Sequence, residues 1–483
     1  MIIFFVTCLL LLCFAKVASA CTTVIVGRKA SADGSHFVGR TTDSPTFCMT
    51  KLTHLPATKS EKLVAYLDKT VNCEFELPRV GYECIALPIS QTISEGNASD
   101  EALRDFWWES VINEKRVGIS ATETTNTRQE ALQNDPFVKS GVREGNIPLL
   151  VIPYINSARE GVERLGKLVE DYGMMAAEAV IFIDDNEIWY MEIYTGHHYA
   201  AQRLPEDCCA CIGNDDMLGF YDENDKENWI ASAGIVEYAK KSGIYTELDG
   251  KFHLALSFGT PKRDYSQLRA WAGRRHFAPS IAGEYDANRQ YEIFFKPEKK
   301  ITLLDAFELT RDRHNGTPQA TDKPGNNTRP IAIDRTSQSH FLQYRNTSLA
   351  PIMWSCYSAP EFSTYFPVLG IPNKIPTHFD YYKHEYDPNS YMWKLFEIAD
   401  LATVDRQTYS SLVRDKFSAL EKHFVASLAS LDDDFKAHGA NDLLLRVTEK
   451  VEAEVNKVRT ELLETYTKKR IEDTRYLGVD QVK

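Results

Sequence analysis

A cysteine heads a β-branched run near the start of this chain, and that arrangement constrains the fold before any other feature. Cys21-Thr22-Thr23-Val24-Ile25-Val26-Gly27 is rich in residues that are stiff at χ1 and suit a pleated strand. Asp33-Gly34 follows as a strong turn pair, and His36 to Asp43 reads as the returning strand. A hairpin built this way carries Arg40 and Asp43 back towards the end that bears Cys21. An Arg beside a thiol favours the thiolate, and an Asp beside a terminal ammonium orients it. Without such a role the two are a surface ion pair, which contributes little.

The residues ahead of Cys21 give it added weight. Met1 to Ala15 is apolar, Lys16 closes the run, and Ala18-Ser19-Ala20 supplies the small residues that signal peptidase accepts. The run is short for a membrane span, which needs about 20 apolar residues. Its n-region lacks Lys and Arg, so an uncleaved anchor is the rival reading. A lipoprotein signal is another rival, although Ala18 stands where a larger aliphatic residue is usual. Cleavage after Ala20 makes Cys21 the first residue of the mature chain. A terminal cysteine carries its own base, because its α-amine has a pKa near ~8 and lies beside the thiol. The amine takes the thiol proton, the thiolate attacks an amide, and water hydrolyses the acyl-enzyme.

Four sequons agree with export: Asn97-Ala98-Ser99, Asn315-Gly316-Thr317, Asn326-Asn327-Thr328 and Asn346-Thr347-Ser348. The stretch from Asn315 to Pro330 is rich in Pro, Gly and Asn and reads as an exposed loop. A secretory destination, outside the cell or in the lysosome, is the expected localisation. Of ten cysteines, eight remain after the leader. Cys73 with Cys84 is a plausible disulfide in an oxidising compartment. Cys208-Cys209-Ala210-Cys211 lacks partners at zinc-like spacing and reads as structural.

The chain has 483 residues, 43% hydrophobic and 25% charged, a globular balance that excludes a disordered or fibrous protein. A net charge of −13 repels phosphate backbones, so a nucleic-acid partner is not expected. Asn156 to Gly173 has Val162, Leu165, Leu168 and Val169 at helical spacing, with Gly173 as the stop. Ala179 to Ile183, the turn Asp184-Asp185-Asn186, and Glu187 to Tyr194 read as a hairpin. The acidic pair at that turn is read as solvated. His197 and His198 are neighbours on an extended segment, so they point apart and do not grip one ion. From Asp387 on, Gly becomes scarce. Leu412, Phe417, Leu420, Phe424 and Leu428 form one helical stripe, and Leu443, Leu444, Val447, Val451, Val455, Val458 and Leu462 a second, with Gly439 between them. The expectation is a helical hairpin packed on the main domain.

Several blocks together resemble a known family. Cys21-Thr-Thr-x-Ile-Val-Gly, Ala30-Ser31-Ala32-Asp33-Gly34-Ser35 and Gly39-Arg40-Thr-x-Asp43 are similar to the start of dipeptidase A and the secernins. These are N-terminal-nucleophile (Ntn) cysteine hydrolases, more distantly similar to penicillin V acylase and bile-salt hydrolase. Val111 to Thr124, Tyr154 to Gly173, Ile188-Trp189-Tyr190 with Thr195-Gly196-His197-His198, and Arg335 to His340 continue the likeness, which covers Cys21 to about residue 395.

The resemblance implies an α+β fold, a four-layer αββα Ntn-hydrolase sandwich with a C-terminal helical extension. The expected organisation is a signal peptide over 1–20, a hydrolase domain over 21–395 and a helical extension over 396–483. Cys21 matches the nucleophile, Arg40 and Asp43 the residues flanking thiol and amine, and Asn214 an oxyanion-hole Asn. Arg269 is a looser match to a further active-site Arg. The wider superfamily's middle Asn falls near Glu123, a departure that makes Glu123 a candidate contact for a substrate amine. The implied activity is a cysteine dipeptidase acting on dipeptides, with no cofactor, no metal and no membrane partner once the leader is removed. An amidase acting on a non-peptide acyl amide, and a secernin-like protein without turnover, are the alternatives. Side-chain preference and homo-oligomerisation stay open.

Overall fold

Thr22–Val26 pairs antiparallel with His36–Asp43, with Thr22 opposite Thr41 and Thr23 opposite Arg40. The turn forms where Asp33-Gly34 stands. Asp33 Oδ1 accepts from Ser31 Oγ, Ser35 N and Ser35 Oγ at 2.8, 2.9 and 2.6 Å, and Gly34 takes φ 72°. The computed structural model describes residues 21–476, apart from 45–47, 61–63, 69–71, 91–105, 262–263 and positions 288, 324, 327, 348 and 384. The leader over 1–20 and the Asn97 sequon lie outside the described residues.

The hairpin sits inside a six-stranded antiparallel sheet. Its order is Cys209–Ile212, Thr22–Val26, His36–Asp43, Thr336–Tyr344, Ile352–Tyr357 and Phe366–Leu369. A larger sheet runs Trp229–Ala231, Tyr199–Arg203, Ile188–Ile193, Glu178–Ile183, Gly118–Thr124, Phe106–Asn113, Cys84–Ser90 and Met49–Thr50, with Thr53–Leu55 also on Cys84–Ser90. Strand periodicity explains why two cores arise. Ala179, Ile181 and Ile183 face the smaller sheet, whereas Val180 and Phe182 of the same strand face outward into a second cluster. Ile188 and Tyr190 alternate in the same way with Trp189, Met191 and Ile193.

Helices cover both outer faces. Ala158–Tyr172 packs on Glu178–Ile183 and Ile188–Ile193, burying Val162, Leu165, Leu168 and Val169. Ser157 caps it by accepting from Glu160 N at 3.1 Å, and Gly173 ends it at φ 74°. Gly161 lets the helix approach closely, since a Cβ there would lie 2.5 Å from the Phe182 ring. On the other side Asp264–Phe277 packs on Cys209–Ile212, and Leu428–Tyr476 on Phe366–Leu369. The result is the α+β, four-layer αββα sandwich that the resemblance implies, with helices continuing at its C-terminal end.

Three details differ from the sequence reading. The C-terminal helices are Tyr391–Val404, Arg406–Ala426 and two segments within Leu428–Tyr476, which Gly439 separates as expected, at a non-helical φ 81° and ψ 178°; a further break at Ser427 makes the region more than a simple hairpin. Every residue of the second expected stripe is buried. Asp184 is buried rather than solvated, because its carboxylate accepts from Ala158 N, Asn186 N and Glu187 N at 2.7, 2.7 and 3.0 Å. Asp185 forks with Arg116 at 2.5 and 2.6 Å. No disulfide joins Cys73 and Cys84. Cys73 belongs to a separate two-stranded ribbon with Val64–Asp68, whereas the Cys84 thiol is reduced and donates to the Tyr82 carbonyl at 3.3 Å.

Candidate active site

The strand pairing decides which side chains meet at Cys21. Thr22 faces Thr41, so Cys21 comes level with Thr42, and Asp43 lies one residue beyond. Side chains alternate across the sheet, which places Cys21, Arg40 and Thr42 on the face turned to the larger sheet. Thr22 and Asp43 take the opposite face, turned towards the helix Asp264–Phe277. The register therefore distributes the groups around Cys21 on two sides.

On the inner side, Arg40 donates to Cys21 Sγ at 2.8 Å. It also donates to Glu109 Oε2 and to the Ala121 carbonyl, both from the larger sheet. Thr42 Oγ1 donates to the same Glu109 oxygen at 3.0 Å and accepts from Gln338 Nε2 at 2.8 Å. Burial pushes the Glu109 carboxyl up, against the pull of Arg40. His340, level with Arg40 on the next strand, is held well below the ordinary imidazole range by burial and then by the Arg40 charge. It is neutral, and its Nε2 meets Ser120 Oγ at 2.9 Å.

On the outer side, Arg269 is the organising residue, fully buried on the helix Asp264–Phe277. Its Nη1 donates to the Cys21 carbonyl and to Thr22 Oγ1, the latter at 2.9 Å. Its Nη2 donates to Asn214 Oδ1 at 2.7 Å. A guanidinium only donates, so this contact fixes the orientation of the Asn214 amide and leaves Nδ2 as its donor end. Asn214 arrives here because Cys209–Ile212 pairs with Thr22–Val26, Thr23 opposite Ile212, and the chain then turns past Cys21. Gly213 permits the approach, since a Cβ there would lie 2.9 Å from Arg269 Nη2. Asp43 is anchored by Thr336 Oγ1 at 2.5 Å and by an ion pair with Arg329.

Arg40 thus meets the Cys21 sulfur, and Arg269, only loosely matched by the resemblance, joins the Cys21 carbonyl to Asn214; Asp43 lies one residue beyond the position level with Cys21 and is held by Thr336 and Arg329. Glu123 lies on Gly118–Thr124 beside a bulge between Ala121 and Glu123, opposite Ala179; its side chain is outside the described residues. Two contributors escaped the sequence reading. Glu109 comes from a distant strand, although an acid in the apolar run Trp107-Trp108-Glu109-Ser110-Val111 is itself a signal of a buried partner. Arg329 comes from the loop that reads as exposed. His197 and His198 do point apart, onto Asp135 at 2.6 Å and Ser232 at 2.9 Å. Among the described residues no group of three or more His, Cys, Asp or Glu is placed to hold a metal ion. Cys209 and Cys211 donate to the Phe295 and Arg269 carbonyls at 3.4 and 3.3 Å, in keeping with structural roles.

The segment behind Asn214 is pinned by Glu192. Its carboxyl accepts from Met217 N at 2.6 Å, Leu218 N at 3.2 Å and Tyr194 Oη at 2.9 Å. Burial nonetheless raises it from its ordinary 4.5 to about 7. A carboxyl raised on folding contributes stability that is complete below pH 4.5 and lost as the pH rises through 7. Glu192→Gln is therefore expected to raise the melting temperature at pH 8.5 and leave it nearly unchanged at pH 4.5. Thermal unfolding at both pH values checks this; an equal effect at both contradicts the assignment.

Comparison with known proteins identifies the family. The model of peptidase family C69 matches residues 20–421. A probable dipeptidase B from Streptococcus pyogenes serotype M1 is 31% identical over 435 residues, 85% of this chain and 84% of that protein. A probable dipeptidase from Salmonella dublin is 32% identical over 359 residues, 72% and 80% of the two chains. Among solved structures, a variant of conjugated bile acid hydrolase from Clostridium perfringens aligns over 76% of this chain and 99% of its own at 12% identity, with a TM-score of 0.36. The family match spans the first strand with Cys21, the strand that delivers Arg40 and Asp43, the turn with Asn214 and the helix with Arg269, and the chain belongs to peptidase family C69.

Proposed function

We propose that this chain is a cysteine dipeptidase whose nucleophile is Cys21, exposed as the amino terminus by removal of residues 1–20. The observation that carries the reading is the convergence on Cys21. Arg40 meets its sulfur at 2.8 Å, and Arg269 links its carbonyl to the Asn214 amide. Membership of a peptidase family and relatives named as probable dipeptidases support the substrate class.

The chemistry follows from these positions. The α-amine of mature Cys21 takes the thiol proton, and Arg40 stabilises the resulting thiolate. Sulfur attacks the peptide carbonyl, and the carbonyl oxygen gains negative charge that Asn214 Nδ2 is oriented to meet. Collapse breaks the C–N bond, and the terminal ammonium returns its proton to the leaving amine. Water, deprotonated by the same amine, then attacks the thioester and releases the acid and the free thiol. Asp43 holds the amine in place throughout.

A dipeptidase reads both ends of a short substrate, and a free ammonium calls for a carboxylate. Glu123 is our candidate for that contact. Free dipeptides are then expected to be cleaved much faster than their N-acetylated forms, and Glu123→Gln should raise KM for free dipeptides and narrow the gap. A panel of both forms tests this. Equal rates would remove amine recognition, and turnover of acyl amides without dipeptide turnover would make the protein an amidase of the same fold.

We also propose a secretory route, supported by the leader and the sequons. Asn315 and Asn346 are exposed. Asn326 differs, because its amide donates to the Pro318 and Ala320 carbonyls at 2.8 and 2.9 Å, leaving no side-chain N–H directed outward for a glycan. Glycopeptide mapping of secreted protein should find sugar at Asn315 or Asn346 and none at Asn326. An occupied Asn326 would contradict this reading of the loop.

A further inference from the structure

Arg40 stands between two acidic groups that lie in different sheets. Its Nη2 meets Cys21 Sγ at 2.8 Å, and its Nη1 meets Glu109 Oε2. The side chains of Arg40 and Glu109 are 1% and 3% exposed, so their interaction is not screened by water. Among the described residues, the neighbouring strands bring the following groups to this face. From Thr336–Tyr344 comes His340, which is neutral, and Gln338, which reaches Thr42. From Gly118–Thr124 come the Ala121 carbonyl and the Ser120 hydroxyl. Asp43 with Arg329, and Arg269 with Asn214, lie on the opposite side of Cys21.

One cation shared by two anions binds each of them less tightly than it would bind either alone. The geometry points to Glu109 as a positioning residue that holds Arg40 against the Cys21 sulfur and, by sharing its charge, sets the pH at which that thiol ionises. Glu109 does not touch the substrate; it acts through Arg40. The carboxylate has an evident structural value, since it offsets the buried Arg40 charge. Its second effect opposes catalysis at low pH, because it draws positive charge away from the thiolate.

The two effects separate on substitution. Glu109→Gln keeps an oxygen for Arg40 and removes the negative charge. The full charge of Arg40 then serves the thiolate. Thr42→Val works in the same direction with less disturbance. It deletes the hydroxyl that donates to Glu109, favours the protonated carboxyl and so releases Arg40.

This inference rests on the reading of Cys21 as nucleophile, and the test keeps the two apart. Mature protein is treated with iodoacetamide over pH 4–9, and the mass of the N-terminal peptide gives the alkylation rate at Cys21. The midpoint of that profile reports the thiol and amine as a pair. For Glu109→Gln the midpoint should fall by about one pH unit, the size expected for a charge one group removed. The acidic limb of kcat/KM should move with it. Thr42→Val should shift both in the same direction by less, and it carries the test if Glu109→Gln does not fold. A folded variant whose midpoint stays in place or rises overturns the role of Glu109. Wild-type Cys21 that resists alkylation throughout, while dipeptides are still cleaved, overturns the nucleophile reading and this inference together.

Discussion

Cys21→Ser is expected to leave a folded protein that has lost at least about three orders of magnitude in kcat. The substitution exchanges sulfur for oxygen at a position only 1% exposed, with no change in the strand pairing of Thr22–Val26. Stability should therefore change little. Reactivity should not survive, because the base is matched to a thiol. An α-amine with a pKa near ~8 and a thiol near ~8.5 exchange a proton at almost no cost, whereas a serine hydroxyl is far harder to ionise. Arg40 does not close that gap, since it stabilises an anion that must first form. Dipeptide turnover and a melting curve on the same preparation check the claim. Retained turnover at normal stability would move the nucleophile elsewhere.

Asn214→Ala is expected to lower kcat by about 10²–10³-fold with little change in KM, the usual result of deleting one oxyanion donor. The magnitude follows from preorganisation. Asn214 is 3% exposed, and Arg269 holds its Oδ1 at 2.7 Å, so the amide is aligned before substrate arrives. The interaction grows as charge develops on the carbonyl oxygen, which is why the loss appears in kcat. Arg269→Lys is the companion variant. One planar fork now reaches Cys21, Thr22 and Asn214, and an ammonium cannot reproduce that geometry. It should lose kcat as well, and it should destabilise the protein, which Asn214→Ala should not. Unchanged kcat in Asn214→Ala would mean that another donor meets the oxyanion.

The parts of the site that were legible in the residues are those made by local chain. The hairpin from Cys21 to Asp43 could be read because β-branched residues, the Asp33-Gly34 turn and the return strand lie within one short segment. The helix after Ser157 was legible for the same reason, with its apolar spacing and its Gly173 stop. Contacts between sheets left weaker traces. Glu109 is 69 positions from Arg40, and Arg329 is 286 from Asp43, so neither could be linked to its partner by spacing. Arg329 was hidden further by its setting, since a Pro- and Gly-rich loop reads as exposed even when one of its side chains turns inward. Asp184 misled in the same way: turn residues are usually solvated, but this carboxylate caps the incoming helix at Ala158 N. Asn214 and Arg269 carry no local signature. Family resemblance pointed to Asn214 and, more loosely, to Arg269, and the strand Cys209–Ile212 and the helix Asp264–Phe277 give the physical reason they meet.

These residues form a peptidase site only if Cys21 has a free amine. Any residue left in front of it would turn the proposed base into an amide nitrogen, which does not accept the thiol proton. The most direct test is the mass of the N-terminal peptide, read from protein purified to constant specific activity on dipeptides. The expected result is a single peptide beginning at Cys21, with activity proportional to its fraction. Fully active protein that retains one or more residues ahead of Cys21 would contradict the mechanism.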